Sequence, residues 1–557
     1  MAAVKEFGHG YAGGSGFADA YDVLVVGAGA VGLAAAAELG SRRVRCLVVD
    51  HDDRTGDHSP RAKIVNVRTR EHFRRWGLAD ELKYTSPLGS DLPSTAVFVT
   101  RMNGHLLARF DNAMNGSQVP NNLYAEEAQW VPQYALEDVL RRYVTSRPGV
   151  DLRVGHEFLD ARQDDSGVTA RIRAVGTGET HEVRCRFLIG ADGPRSRVRD
   201  LIGARMTGTS SLSRNCTIVF RAPDLAHRHP FGRAIMYWLV NDDVPGLLGP
   251  MDDKGLWFFT ATRMTDNDLD GLDLVGLIRR TTGLHDLDVE IIGADPWVAH
   301  SLLADCYSRG RMFLAGDACH LNPPHGGFGM NMGIGDAVDL GWKTAAVLQG
   351  WGGEGLLRGY ESERRPIHTR LVDEAVSYHN TFNHQLVRPG MEETGLVGEA
   401  TRQEVGGLIE LTKIYDFKSL GLVLGSDYRQ SPLVVSDGSA PPPVSSLVYT
   451  PSAHPGCLAP HLWLRDGSSL YDHFGPGLSL LVTSGDPVDA EPLLAAARTR
   501  GVPMSLVAPR DVRLPARYEA RYTLVRPDQH VAWRGETLPE DAYALLDHVC
   551  GNVRRRQ

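Results

Sequence analysis

An apolar run, Tyr21-Asp-Val-Leu-Val-Val26, breaks directly into Gly27-Ala-Gly29-Ala-Val-Gly32, and a helix-forming stretch from Leu33 to Leu39 follows. A second apolar run, Val44 to Val49, ends on Asp50. A bare G-x-G-x-x-G says little. Set between a strand and a helix, with an acid at the tip of the next strand, it commits the chain to a parallel α/β sheet that carries a dinucleotide at its carboxyl edge. Gly27 makes the tight turn, Gly29 admits the pyrophosphate, Gly32 lets helix and strand pack, and Asp50 takes the adenosine ribose hydroxyls. The fingerprint alone does not separate NAD from FAD.

Two further stretches have the same logic. Residues 183–189 read as a further strand that ends in Gly190-Ala-Asp-Gly193, so Asp192 is expected to face the same cradle; a plain Asp-Gly turn is the alternative. Arg311 to Ala315 is a short apolar run broken by Gly316-Asp317. It is followed by a stiff loop with Pro323-Pro324, then Gly326, Gly327 and Gly329, and a helical pattern from about Asn331 to Leu348. Glycines let the backbone approach a ligand, prolines fix the approach, and the free N–H groups of the helix start suit negative charge. This is a second half of a cofactor cradle.

At 557 residues the chain needs roughly two to four domains. It has no apolar run of about 18 residues, which argues against a membrane span, and the Gly- and Ala-rich start (residues 1–20) reads as a mobile tail without a signal peptide. A net charge of −9 argues against nucleic acid or an anionic membrane as the main partner. The seven cysteines are scattered, with no C-x-x-C and no Cys/His ligand spacing; we expect a reducing cytoplasm, no disulfide framework and no metal site.

Between these landmarks, Arg61 lies on a loop from which a guanidinium can reach a pyrophosphate. Gln133 opens an amphipathic helix, Gln133 to Tyr143, either as a cap or as a contact to a ligand ring. Residues 86–127 alternate weakly, and residues 206–299 read as a mostly antiparallel sheet forming a substrate wall. Tyr237 and Trp238 are adjacent on one of its strands, so only one of them can face a pocket. Residues 381–445 are helix and linker, and 446–557 form a further domain.

The ordered set Gly27-x-Gly-x-x-Gly32, Gly190-Ala-Asp-Gly193 and Gly316-Asp317 with Pro323-Pro324 and Gly326 to Asn331 resembles the FAD-dependent aromatic hydroxylases of the p-hydroxybenzoate hydroxylase type. The texture is that of the phenol and dichlorophenol monooxygenases and of polyketide- and piericidin-pathway hydroxylases. The likeness runs to Asp336-Ala-Val-Asp-Leu-Gly-Trp-Lys343 and Glu363-Arg-Arg-Pro366, and the C-terminal part resembles that branch's thioredoxin-like domain. Cys457 has no nearby partner for dithiol chemistry, so that domain is expected to be structural, an oligomer contact.

The resemblance implies an α/β fold: a Rossmann-type FAD-binding domain (21–205 and 300–380, with 86–127 turned to the substrate side), an inserted antiparallel-sheet substrate domain, and a thioredoxin-like C-terminal domain. It implies that Gly27, Gly29, Gly32 and Asp50 hold the ADP half of FAD, Arg61 the pyrophosphate, and Gln133 the ribityl chain and ring. Asp192 would serve FAD and NADPH, Gly316 and Asp317 the ribityl hydroxyls, and Pro324, Gly327, Gly329, Met330 and Asn331 the flavin ring.

The implied reaction is hydroxylation of a phenol-like ring by O₂ and NADPH (or NADH) through a C4a-hydroperoxyflavin, in natural-product biosynthesis or aromatic catabolism. A flavin dehydrogenase or reductase without oxygen transfer is the alternative. Pro324 would wall the oxygen-transfer point, and Tyr237 and Lys63 are candidate catalytic groups. Lys63 stands where some phenol hydroxylases carry an Asp and is read either as orienting a phenolate or carboxylate substrate or as a solvated lysine. His325 and Phe328 also depart from common family choices and are expected to shape the pocket.

Overall fold

A computed structural model describes residues 16–18, 20–52, 61–262, 264, 273–380 and 386–552. Most of the expected N-terminal tail, Ser59-Pro60, and residues 381–385 of the expected helical region lie outside the described residues.

The first sheet runs, from one edge, Ser308–Arg309, Met312–Leu314, Thr180–Gly190, Tyr21–Val26, Cys46–Asp50 and Val150–Val154, with the hairpin 156–174 alongside 180–190. The central strands are parallel: Val25 pairs with Ile189 on one side and Val48 on the other, and Gly190 with Leu314. Burial on both faces explains the unbroken apolar run, with Val23, Leu24 and Val25 fully enclosed. The helices Ala30–Ser41, Gln133–Thr145 and Phe328–Leu348 surround it.

The second sheet has the order His320–Leu321, Glu290–Ala304, Met206–Arg221, Leu256–Thr262, Gly246–Pro250, Met236–Leu239, Ala96–Val99 and Leu106–Phe110. One of its two long strands, Glu290–Ala304, extends past the expected limit at residue 299, and a hairpin from 96–110 joins its far edge. It is not wholly antiparallel: Met236–Leu239 runs parallel to Ala96–Val99, because a strand recruited from an earlier part of the chain need not follow hairpin geometry. Alternation splits its residues. Val97, Tyr237, Leu248, Trp257 and Phe259 pack toward Leu277 and Ile278 of the helix Leu274–Thr282. Phe98, Trp238 and, on neighbouring strands, Leu247 and Phe258 take the other face, toward the first domain and the helix Leu396–Phe417.

The third sheet has the order Met504–Val507, Leu478–Val482, Tyr522–Val525, Val531–Gly535. Its first pair is parallel around the helix Glu491–Arg500 and the others antiparallel, which is the thioredoxin-like arrangement. This domain docks through buried ions. Arg526 donates to Glu363 at 2.6 Å and to Asp528 at 2.7 Å and lies 3.2 Å from Asp339. Lys343 pairs with Asp339 at 2.7 Å and with Glu363. Arg68 reaches across from the first domain to Asp528 O at 2.6 Å. Among the described residues no helix is long and apolar enough to cross a membrane.

Candidate functional site

At the fingerprint end, Gly27 has φ +103°, and a Cβ there would lie 2.3 Å from Ala191 O, so only glycine fits. A Cβ on Gly32 would sit 1.9 Å from Gly27 O. Ala28 N donates to Asp50 at 2.7 Å, which aims the Asp50 carboxylate from its strand end across the loop. Gly29 caps the helix Ala30–Ser41 without any side-chain bond. Glu137 accepts from Ala30 N at 3.0 Å and from the Gln133 side chain at 2.7 Å. Glu137 was not anticipated from sequence; the readable signal was a Gln–Glu pair four residues apart on one helix face. Gln133 therefore works in part through Glu137.

Asp192, expected at the cradle, lies against Gly27 and is bonded within its own turn. Its carboxylate accepts from the Ser196 hydroxyl at 2.5 Å and from Val198 N at 3.1 Å, holding its own turn and the helix Arg197–Ile202. Burial raises its pKa, and those bonds lower it. These are the bonds of the Asp-Gly turn, and the backbone of this stretch packs against Gly27.

At the other end, Gly316 (φ +64°) turns the chain out of the strand 312–314, and Asp317 stands exposed at the cleft yet crowded by protein. That crowding raises its pKa, while His320 and Arg61 pull it down, which places Arg61 within electrostatic reach on the facing segment. Pro324 is exposed, followed by Gly326 and Gly327, both with positive φ. A Cβ on Gly327 would lie 2.1 Å from Ile64 Cγ2. The helix begins at Phe328, three residues before the expected Asn331, and its cap Gly327 makes no side-chain bond, so the N–H groups of Gly329 and Met330 fall in its open first turn.

Asn331 is a pin: its side chain accepts from Asn66 N at 3.0 Å and donates to Ile64 O at 2.9 Å and Gly327 O at 2.7 Å. Expected as a flavin-edge contact, Asn331 instead fixes the glycine loop against residues 64–66, because its polar atoms are already taken.

Behind the loop lies a buried network absent from the sequence reading. Asp336 accepts from Gly316 N (3.1 Å), His320 (2.9 Å), Arg364 (2.8 Å) and His368 (2.8 Å). Tyr307 OH contacts the other nitrogen of His368 at 2.9 Å. Burial would raise Asp336, but His368 and Arg364 hold it well below the usual carboxylate range. Burial pushes His368 down to about 3 against the pull of Asp336, and Arg364 brings a fixed positive charge to the same carboxylate. Cys319, His320, Asp336 and His368 bring ligand atoms within 4.8 Å of one another. The Arg364 guanidinium shares that carboxylate, and a divalent ion would meet its fixed charge. The network holds the Gly316 turn in place.

The substrate side shows which expectations fail. Tyr237 donates to Gly232 O at 2.5 Å and lies in the core near Trp257, its hydroxyl pushed up to about 12 by burial. It is on the wrong face of the sheet for catalysis. Its neighbour Trp238 faces the flavin-side loop, stacked on His325 at 5.9 Å. His325 in turn packs against His379 (3.3 Å) and is buried, so it braces the loop from behind. Lys63 is not a solvated lysine. It is half-buried, donates to Pro250 O at 2.9 Å, and sits 4.1 Å from the centre of the Phe258 ring; burial takes its pKa well below the ordinary value.

Comparison with known proteins points to one family. Residues 20–375 match an FAD-binding domain family, and residues 452–552 the C-terminal domain of aromatic-ring hydroxylases. A putative polyketide hydroxylase of Streptomyces halstedii is 33% identical over 95% of this chain and 96% of its own length. The tetracenomycin B2 monooxygenase-dioxygenase of Streptomyces olivaceus is also 33% identical, over 96% of this chain and 98% of its own. The rebeccamycin biosynthetic enzyme RebC, solved with reduced flavin, superimposes with a TM-score of 0.87 at 34% identity, covering 96% of this chain and 99% of RebC.

Proposed function

The chain belongs to the FAD-dependent aromatic-ring hydroxylases, and we propose on that footing that it is a single-component monooxygenase of natural-product biosynthesis. It takes electrons from NADPH (or NADH), uses O₂, and hydroxylates a phenol-like ring. The observation that carries the cofactor is the Gly27 loop, a cradle that a single Cβ would fill, facing Asp50 at the strand end. The residues fit FAD. Gly27, Gly29, Gly32 and Asp50 hold its ADP half and Arg61 its pyrophosphate. Asp317 would hold the ribityl hydroxyls, and Gly327, Gly329 and Met330 would meet the ring, where the open helix start favours negative charge.

FAD, when bound, supplies the redox and oxygen chemistry. The chain does the rest: Asn331 and Asp336 fix the two glycine turns, Pro324 and the Trp238–His325 stack exclude water, and the apolar sheet face of Leu247 and Phe258 seats the substrate ring. The experiment is to purify the protein, measure bound yellow FAD, and follow NADPH and O₂ consumption against hydroxylated product over a panel of phenols and polycyclic ketides. Absence of FAD refutes the reading, and NADPH oxidation without oxygen incorporation replaces it with that of a flavin reductase.

A further inference from the structure

Residues 62–65 cross the cleft with their backbone committed. Ala62 O accepts from Gln133 N, Lys63 O from Val131 N, each at 2.8 Å, and Ile64 O from the Asn331 side chain at 2.9 Å. Ile64 turns to the glycine loop, beside Gly327. Lys63, next to it on an extended segment, therefore turns the other way, toward the second sheet. There Val219, Met251, Leu256 and Phe258 form an apolar cluster, with Leu247 and Tyr134 half-buried at its margin.

Into this surface Lys63 brings its amine, which an anionic ligand would hold as the cation. Its amine is held by one carbonyl, Pro250 O, and by the face of Phe258, and among the described residues no carboxylate pairs with it. An ammonium has three donors, so at least one N–H remains for a ligand. A desolvated cation without a counter-charge is costly, and burial depresses its pKa accordingly. The cost is recovered when a ligand brings the negative charge.

The geometry points to Lys63 as the residue that selects an ionised ring oxygen, so that the substrate of this enzyme is a flat apolar aromatic bound as its phenolate or enolate. This deepens the hydroxylase reading and rests on it. The anion serves the reaction as well as binding, since an ionised hydroxyl feeds electron density into the ring that receives the electrophilic oxygen.

The test uses full-length, FAD-loaded protein and two probe pairs, 2-hydroxyanthraquinone with its methyl ether and 4-nitrophenol with its methyl ether, at a pH where the free hydroxyls are ionised. Binding is read from perturbation of the flavin spectrum. Wild type should favour the hydroxyl form over the ether by about tenfold or more in at least one pair, the value of a charge-assisted hydrogen bond. Lys63→Met should lose that preference while binding the ether as before, and Lys63→Arg should keep part of it. A wild type that shows no such preference in either pair, including one that binds neither probe, overturns the assignment, as does a Lys63→Met variant that retains the preference. FAD content and oxygen-coupled NADPH oxidation are measured in the same preparations, so failure of the hydroxylase reading is seen separately.

Discussion

Replacing Arg526 by Met isolates what holds the C-terminal domain in place. Arg526 and Lys343 face Asp339, Glu363 and Asp528, all five buried. Burial would raise the Glu363 carboxyl, but Arg526 and then Lys343 hold it down at about 2. A displacement of that size from an ordinary glutamate corresponds to about 3 kcal/mol. That agrees with the roughly 3–5 kcal/mol expected when one partner of a buried ion pair is removed.

The sign with pH follows from the same groups. In wild type the depressed Glu363 stabilises above its unfolded pKa, and this is lost only as pH falls through about 2. Asp339, raised to about 7 chiefly by burial, costs the fold stability as pH rises from the ordinary Asp range to about 7, and that cost is complete above it. Without Arg526 the carboxylates lose the cation that depressed them and their pKa values rise. The deficit of the variant is therefore full at neutral pH and shrinks on acidification toward about pH 5, as they protonate. Hydrogen exchange of Tyr522–Val525 and Val531–Gly535 reads the opening of this seam, and about 3 kcal/mol means exchange faster by about a hundredfold. Unchanged exchange at neutral pH, or a deficit that grows on acidification, would refute the reasoning.

Gly27→Ala forces a Cβ to 2.3 Å from Ala191 O and should yield protein purified with little or no FAD by absorbance. Asn331→Ala leaves the buried Ile64 carbonyl without this partner, at about 1–3 kcal/mol, frees the part-buried Asn66 N–H and Gly327 carbonyl as well, and should weaken FAD binding by tenfold or more in a fluorescence titration. Thiol titration of the native protein should show Cys306 reacting ahead of the others. The remaining cysteines are buried, and burial pushes the thiols of Cys46, Cys185, Cys457 and Cys550 up to about 12. Fast reaction at any of those four would contradict their packing.

The fingerprint was legible because glycine at Gly27 and an acid at Asp50 answer local demands: a positive φ, a close backbone approach, a strand end. The parallel strands were legible because burial on both faces leaves an unbroken apolar run. Asp336 and Arg364 were visible as parts of a motif, but their roles were not, since the contact joins helices whose approach only the fold decides. The choice between Tyr237 and Trp238 failed for a related reason. Both faces of that strand are buried, so alternation reports two sides without saying which one meets the flavin loop. The local bonds of Asp192 were not legible, because a strand-end acid that caps its own turn has the same sequence as one that reaches a ligand.

The parallel pairing of Ala96–Val99 with Met236–Leu239 has a consequence for biosynthesis of the chain. The earlier strand leaves the ribosome about 140 residues before its neighbour exists. At translation speeds of roughly 5–20 residues per second, one edge of Ala-Val-Phe-Val99 stands unpaired for on the order of ten seconds. The hairpin partner Leu106–Phe110 shields only the opposite edge. An apolar edge exposed for so long recruits chaperones or other nascent chains. Yield in a foreign host should therefore respond to chaperone supply and slow growth at low temperature before it responds to flavin supply.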